Sequence, residues 1–270
     1  MTEPELLVDM KVHTAIVTLN RPDRLNALSA SMIAQFPEIW GRIGKEEDIR
    51  SIILTANGRG FCVGMDLKKV SERGAFRPPK SNKVAEALKL TPLNNDVWLP
   101  TIVAVNGVCA GGGLHFIADA DIVIASENAW FVDPHVTHGQ ASALEPISLA
   151  PRIGLNNALR FAMLGKSGRL DANEALRLGL ADEVVPVDRL LDRAMEVAES
   201  LAAQSPSAVE ATKRAARSSL ELPFSQAMQV AWDLVMAQRT HPDALEGPAA
   251  FAEKREPRWV RRPSKPAEDT

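Results

Sequence analysis

The sequence predicts an α/β fold with parallel-type crossovers, followed by an all-helical region. Three observations carry this. Up to about residue 132, short β-branched apolar runs alternate with segments of helical character, the order expected where helices connect parallel strands. Two glycine-dense loops, "NGRGFCVGMDL" (57–67) and "NGVCAGGGLH" (106–115), each follow one of those runs. After "FVDPH" (131–135) the alternation stops, and apolar residues recur at helical spacing.

Taken in order, "VHTAIVTLN" (12–20) reads as a half-buried strand, and "RPDRLNALS" as a proline-containing turn that leads into a helix near Ser29 to Ile43. "IRSIILTAN" is the next strand, ended by the breakers "NGRG". A helix is expected around Ser81 to Trp98, then the strand "TIVAVNG", a helix from Gly112 to Asp119 and the strand "DIVIAS". From Leu155 the chain reads as "NNALRFAML", then "DANEALRLG" with Asp171 as N-cap and Gly179 as C-cap, then "VDRLLDRAMEVAESLAAQ". Helices near Ser207–Leu220 and Pro223–Arg239 follow, and the Pro-rich, charged end "EPRWVRRPSKPAEDT" is expected to fray. No close sequence repeat accompanies the alternation.

At 270 residues and 46% hydrophobic, the chain can bury a sizeable core. Its net charge of −3, with acidic and basic residues interleaved, speaks against a nucleic-acid surface or a polybasic membrane patch, so the expected partner is small. The acidic start "MTEPELLVDM" has neither the basic nor the apolar region of a signal peptide, and no apolar run is long enough to span a bilayer; a cytoplasmic location is expected. Cys62 and Cys109, the two cysteines, offer no disulfide framework and read as structural. Tyrosine is absent, which removes one possible general acid.

The glycine loops invite a chemical reading. Unpaired N–H groups at a helix start suit an anion or a developing oxyanion, and glycine lets a ligand approach the backbone closely. For either loop alone, a tight turn explains the glycines equally well. Residues 58–64 read G-x-G-x-x-x-G and no G-x-x-x-x-G-K-[ST] occurs, so a nucleotide cofactor is not indicated.

"LNRPDRLNALS", "GRGFCVGMDL", "LPTIVAVNGVCAGGGLHFIADADIVIAS", "FVDP" and "LGKSGRLDANEALRLGLADEVVP" together resemble the successive signature segments of the crotonase (enoyl-CoA hydratase/isomerase) superfamily, over roughly residues 10–190. That resemblance implies a spiral core of strand-strand-helix turns over 1–195. It also implies a helical region over 196–270 that packs subunits into homotrimers, often paired as hexamers. It implies an acyl-CoA thioester as substrate, with no further cofactor and no metal. Carried over residue by residue, it makes the Met65 and Gly112 N–H groups the oxyanion hole for an enolate. Arg24 and Leu25 become contacts to coenzyme A, and Gly64, Asp66 and Gly111 join them as substrate-binding residues beside the hole, Asp66 as an acceptor that fixes its loop.

Hydratases of the superfamily use two glutamates, and both positions differ here: His115 lies two residues after the triple glycine and His135 directly follows the proline of "FVDPH". Two anions are exchanged for imidazoles that titrate near neutral pH, which favours an adjacent enolate but puts ordinary glutamate-pair hydration in doubt. Downstream, His138 and Glu145 lie in "HVTHGQASALEP", where some isomerases of the superfamily supply an acid. The leading expectation is lyase or isomerase chemistry through His115 and His135, with Glu145 as a third catalytic candidate. One alternative resembles the superfamily's β-diketone hydrolases, with His135 as base, Glu145 orienting it and His115 stabilising the anion. Another is an acyl-CoA-binding homologue without chemistry. Asp133, His135 and His138 also raise a zinc reading, but their spacing is loose.

Overall fold

The computed structural model describes residues 3–66, 72, 83–260 and 262. Two sheets form the body. The larger has the order β1 (Leu6–Met10), β2 (Thr14–Leu19), β3 (Ser51–Ala56), β5 (Thr101–Val105), β7 (Ile122–Ser126) and β10 (Glu183–Val185). Its strands are parallel from β2 onward, and β1 pairs antiparallel with β2. The smaller has β4 (Gly60–Cys62), β6 (Val108–Ala110), β8 (Trp130–Val132) and β9 (Leu170–Asp171), the last antiparallel.

Each of β3, β5 and β7 is followed within a few residues by a short partner in the second sheet: β4, β6 and β8. The chain therefore winds as a spiral whose turns each supply one strand to each sheet. The corners carry a polar ladder. Each of β2, β3, β5 and β7 is followed by, or ends in, an Asn or Ser: Asn20, Asn57, Asn106 and Ser126. Asn57 Nδ2 donates to Asn20 Oδ1 at 3.0 Å, Asn106 Nδ2 to the Gly58 carbonyl at 2.7 Å, and Ser126 Oγ to the Asn106 carbonyl at 3.1 Å. Successive corners are thus hydrogen-bonded in register, and their backbone polar groups are satisfied where the ladders end.

The inner strands β2, β3, β5 and β7 of the large sheet are buried on both faces, which is why they read as nearly continuous apolar runs. Ile16, Ile53, Ile102 and Ile124 face one side, packed against Leu190, Ala194 and Ala198 of a helix over Leu190–Ala202. The alternate residues Val17, Ile52, Leu54, Val103 and Val123 face the main core. There α1 (Ala30–Lys45), capped by Ser29 Oγ on Met32 N at 3.0 Å, contributes Phe36 and Trp40. The Phe36 ring lies 5.5 Å from that of Phe116, which meets Phe61 edge-on at 6.2 Å.

The structure corrects several sequence expectations. No continuous helix runs from Ser81 to Trp98: residues 81 and 82 lie outside the described set, 84–87 form one helical turn, and Leu93–Asn95 a 3-10 turn ended by left-handed Asp96. Pro92 interrupts the segment, and Thr91 Oγ1 turns to Asn94 N at 3.2 Å instead of continuing a helix. The strand read as "TIVAVNG" ends at Val105, and after Asn106–Gly107 a second, unread strand, β6, follows in the other sheet. The helix expected from Gly112 begins as a 3-10 turn over Gly111–Gly113 and becomes α2 at Leu114–Asp119. Strand β1 precedes the first strand read from sequence. The end of the chain is pinned as far as it is described. Trp259 Nε1 donates to the Ala203 carbonyl at 2.8 Å, Val260 N to Asp243 at 2.9 Å, and Arg262 Nη2 to the Gly44 carbonyl at 3.1 Å.

Candidate active site

His115 is the second residue of α2. The helix is seated by Gly113, where a Cβ would stand 2.6 Å from the Cys62 carbonyl; only glycine lets this turn lie against β4. Leu114, Phe116 and Ile117 go to the core, and His115 turns toward α3 (Leu144–Ile153). His135 follows β8 through the stiff dipeptide Asp133–Pro134 and opens a 3-10 turn over Val136–His138. Glu145 sits in the first turn of α3.

These three residues, scattered over thirty positions of sequence, meet. Glu145 Oε1 lies 3.3 Å from His115 Nε2 and 3.8 Å from His135 Nε2. Behind His135 stands Asp133, which is fully buried. Its Oδ1 accepts from His135 Nδ1 at 2.6 Å and from His135 N at 3.3 Å, and its Oδ2 accepts from Ser142 Oγ. The carboxylate that orients His135 through Nδ1 is therefore Asp133, and Glu145 faces the opposite nitrogen. His138 is exposed.

Charge follows this geometry. Burial opposes ionisation of Glu145, yet the hydrogen bond with His115, a backbone N–H and the two imidazoles hold its carboxyl below the usual range. Asp133 behaves likewise, the bonds from His135 and Ser142 outweighing burial. The bond to Asp133 raises the His135 imidazole above its ordinary value against the cost of burial, and the charges of Glu145 and Asp133 add to the rise.

The glycine loops lie beside this cluster. Gly64 adopts φ +78°, and a Cβ there would fall 2.7 Å from Gly112 N, so the two loops touch backbone to backbone. Leu28 pairs with Met65 as an isolated parallel bridge, in which Leu28 N donates to the Gly64 carbonyl at 2.7 Å and Asp66 N to the Leu28 carbonyl at 3.4 Å. A parallel bridge of this kind uses the amides flanking Met65 and not its own N–H. Gly112 N sits in the first turn of its 3-10 segment, where no intrahelical acceptor exists. At Gly111, φ is +51° and a Cβ would stand 3.5 Å from His135 Cε1.

Of the remaining expected residues, Asp66 binds Arg21 Nη2 at 3.2 Å, and Arg21 also reaches Glu5 at 2.8 Å and the Ala27 carbonyl, tying the 21–29 turn to the first glycine loop. Arg24 is exposed at the end of a 3-10 turn, and Leu25 takes a left-handed conformation, φ +48°. Its carbonyl accepts from Val63 N at 3.2 Å. Ligating atoms of Asp133, His135 and Glu145, not of His138, come within 4.8 Å of one another. Asp133 already accepts three hydrogen bonds, from His135 and Ser142. Cys62 and Cys109 are buried partners across β4 and β6, and burial pushes the Cys62 thiol to about 12.

Two members of the site have roles that the sequence reading does not assign. Ser142 carries no local signal. Asp133, read there only as a possible zinc ligand, does: an acid two residues before a histidine, across a proline, can reach back to Nδ1. Among the described residues no helix is long and apolar enough to cross a membrane.

Comparison with known proteins agrees with this architecture. Residues 10–262 match the enoyl-CoA hydratase/isomerase family. An enoyl-CoA hydratase of Mycobacterium tuberculosis is 32% identical over 96% of this chain and 97% of its own. The (E)-benzylidenesuccinyl-CoA hydratase of Thauera aromatica is 35% identical over 93% and 96% respectively. The crystal structure of an enoyl-CoA hydratase/isomerase from Mycobacterium paratuberculosis superposes with a TM-score of 0.88 at 37% identity, covering 96% of this chain and 99% of that one. The chain belongs to the enoyl-CoA hydratase/isomerase family, with the crotonase fold.

Proposed function

We propose that the protein adds water to, or removes it from, an acyl-CoA thioester, using Glu145 and His135 as the proton-transfer pair. One observation carries this reading: two imidazole Nε2 atoms converge on the single Glu145 carboxylate oxygen. The Glu145 carboxyl is held below its usual range and the His135 imidazole is raised above its own, which favours an ionised carboxylate beside a protonated imidazole. In the hydration direction, Glu145 takes a proton from water as its oxygen bonds to Cβ. The electron pair moves to the thioester oxygen, where the Met65 and Gly112 N–H groups stabilise the enolate. His135 then delivers a proton to Cα, and transfer from Glu145 to His135 across the cluster restores the site. His115, bonded to Glu145, fixes that carboxylate and shares its charge. The thioester is the substrate, and this chemistry needs no further cofactor.

The test is hydration of crotonyl-CoA and longer 2-enoyl thioesters. Glu145→Gln and His135→Gln each lower kcat by about 10² to 10⁴, the range for loss of a general acid or base. Undiminished rates in His115→Ala and His135→Ala would remove His135 from proton transfer and His115 from fixing Glu145, and tight binding of every thioester without turnover would leave a binding protein. The pH profile has a definite sign. Activity holds while Glu145 is ionised and His135 is charged, falling on the acid side through the lowered carboxyl and on the alkaline side through the raised imidazole.

The Asp133–His135 bond favours a second reading, hydrolysis of a carbon–carbon bond in a β-dicarbonyl substrate. A neutral imidazole held at Nδ1 is a general base at Nε2, able to deprotonate water as it attacks a ketone. That reaction requires uncharged His135, so its rate rises with pH where hydration falls.

A further inference from the structure

We propose that Asp133 and Ser142 are positioning residues: they hold His135 with Nδ1–H on Asp133 and Nε2 toward Glu145, and through one loop they set the spacing of the proton-transfer pair. Asp133 is fully buried, and a buried carboxylate is costly unless its oxygens are satisfied. All of its hydrogen bonds named above go to two partners, His135 and Ser142. An imidazole free to choose its tautomer can offer either nitrogen to the substrate. A carboxylate fixed behind Nδ1 decides which one faces forward.

Ser142 extends the device. It lies in the loop between left-handed Gly139 and α3, and α3 begins at Leu144 with no side-chain cap. Its bond to Asp133 ties that loop to the end of β8, three residues before Glu145. One carboxylate therefore fixes His135 directly and Glu145 through Ser142. The ionisable groups that face His135 are Asp133 at Nδ1 and Glu145 at Nε2, with His115 beyond Glu145. The inference rests on the reading of His135 as a proton carrier, but its measurement needs no substrate.

Side-chain ¹⁵N NMR across a pH series provides the test, with the His135 signals assigned from His135→Gln. In the native protein His135 keeps its Nδ1 protonated after it loses its charge. Asp133→Asn moves the neutral ring toward the Nε2–H form and lowers its titration midpoint by about one unit. Ser142→Ala shifts both in the same direction by less, and Ser142→Thr, which keeps the hydroxyl, restores them. An unchanged tautomer and midpoint in Asp133→Asn with a native circular dichroism spectrum overturns the proposal. Should Asp133→Asn fail to fold, the Ser142 pair decides: equal spectra for Ala and Thr overturn it. A thioester panel without turnover, beside the expected spectra, overturns the proposed reaction and leaves the positioning intact.

Discussion

Placing histidines at 115 and 135 changes what the remaining carboxylates contribute to the folded state. Asp133 and Glu145 both sit below the ordinary carboxylate range in the fold. A group depressed on folding stabilises the protein above its unfolded pKa, near 4, and that contribution disappears as pH falls through the folded value. His135 is raised, so its contribution is present below its unfolded value near 6.5 and fades as pH rises through the folded one. The cluster is therefore most stabilising between the two limits. In urea titrations from pH 3 to pH 9, Glu145→Gln loses less stability on acidification than the native protein and Asp133→Asn loses less on alkalinisation. Parallel curves for native and variant on both limbs would contradict the assignment of these shifts to the cluster.

At the level of the element, the first glycine loop is a tightly constrained connection. Gly64 holds φ +78° with Gly112 N where a side chain would begin, so alanine adds a left-handed strain and a collision with backbone. Gly64→Ala is expected to cost about 1–3 kcal/mol for the backbone conformation alone, and the contact adds to it. A thermal midpoint within a degree of native would show that the loop relaxes freely. This loop also shows what the sequence conveys. The long strands were legible because both faces of the sheet are buried and their residues are continuously apolar. The three-residue strands β4, β6 and β8 were not, because Gly60–Cys62 and Val108–Ala110 sit inside glycine-rich stretches that look like turns. Family resemblance singled out Met65 and Gly112, whose loops touch, and His115 and His135, which lie with Glu145 in one cluster. The role of Asp133 escaped it because a bond from position 133 to the ring at 135 depends on how the chain turns through Pro134, which spacing leaves undetermined.

On the scale of the whole molecule, the helices after the spiral are anchored on one side and bare on the other. Lys213, buried in the helix Pro206–Ser218, donates to Asp121 at 2.6 Å and to the Leu99 carbonyl at 2.9 Å, and Arg217 reaches the Asp119 carbonyl at 2.6 Å. The next helix, Phe224–Arg239, exposes Phe224, Met228, Trp232 and Val235, spaced four, four and three residues apart along one face, with Phe224 79% exposed. A second bare set, Ile147, Leu155, Leu159 and Met163, lies on α3 and the helix after it. Monomers rarely leave apolar surface of this extent to water. Two different patches on one chain suit a head-to-tail contact, which closes into a ring when its rotation allows. The ring order that the family resemblance implies is a trimer, or a pair of trimers, so sedimentation is expected to give three or six times the 29.3 kDa chain mass. Trp232→Asp combined with Phe224→Asp should lower that mass to one chain while leaving the helical circular dichroism signal intact, because these side chains touch little of their own subunit. A native protein that sediments as one chain at micromolar concentration refutes the assembly, and would leave the bare faces needing a partner of another kind.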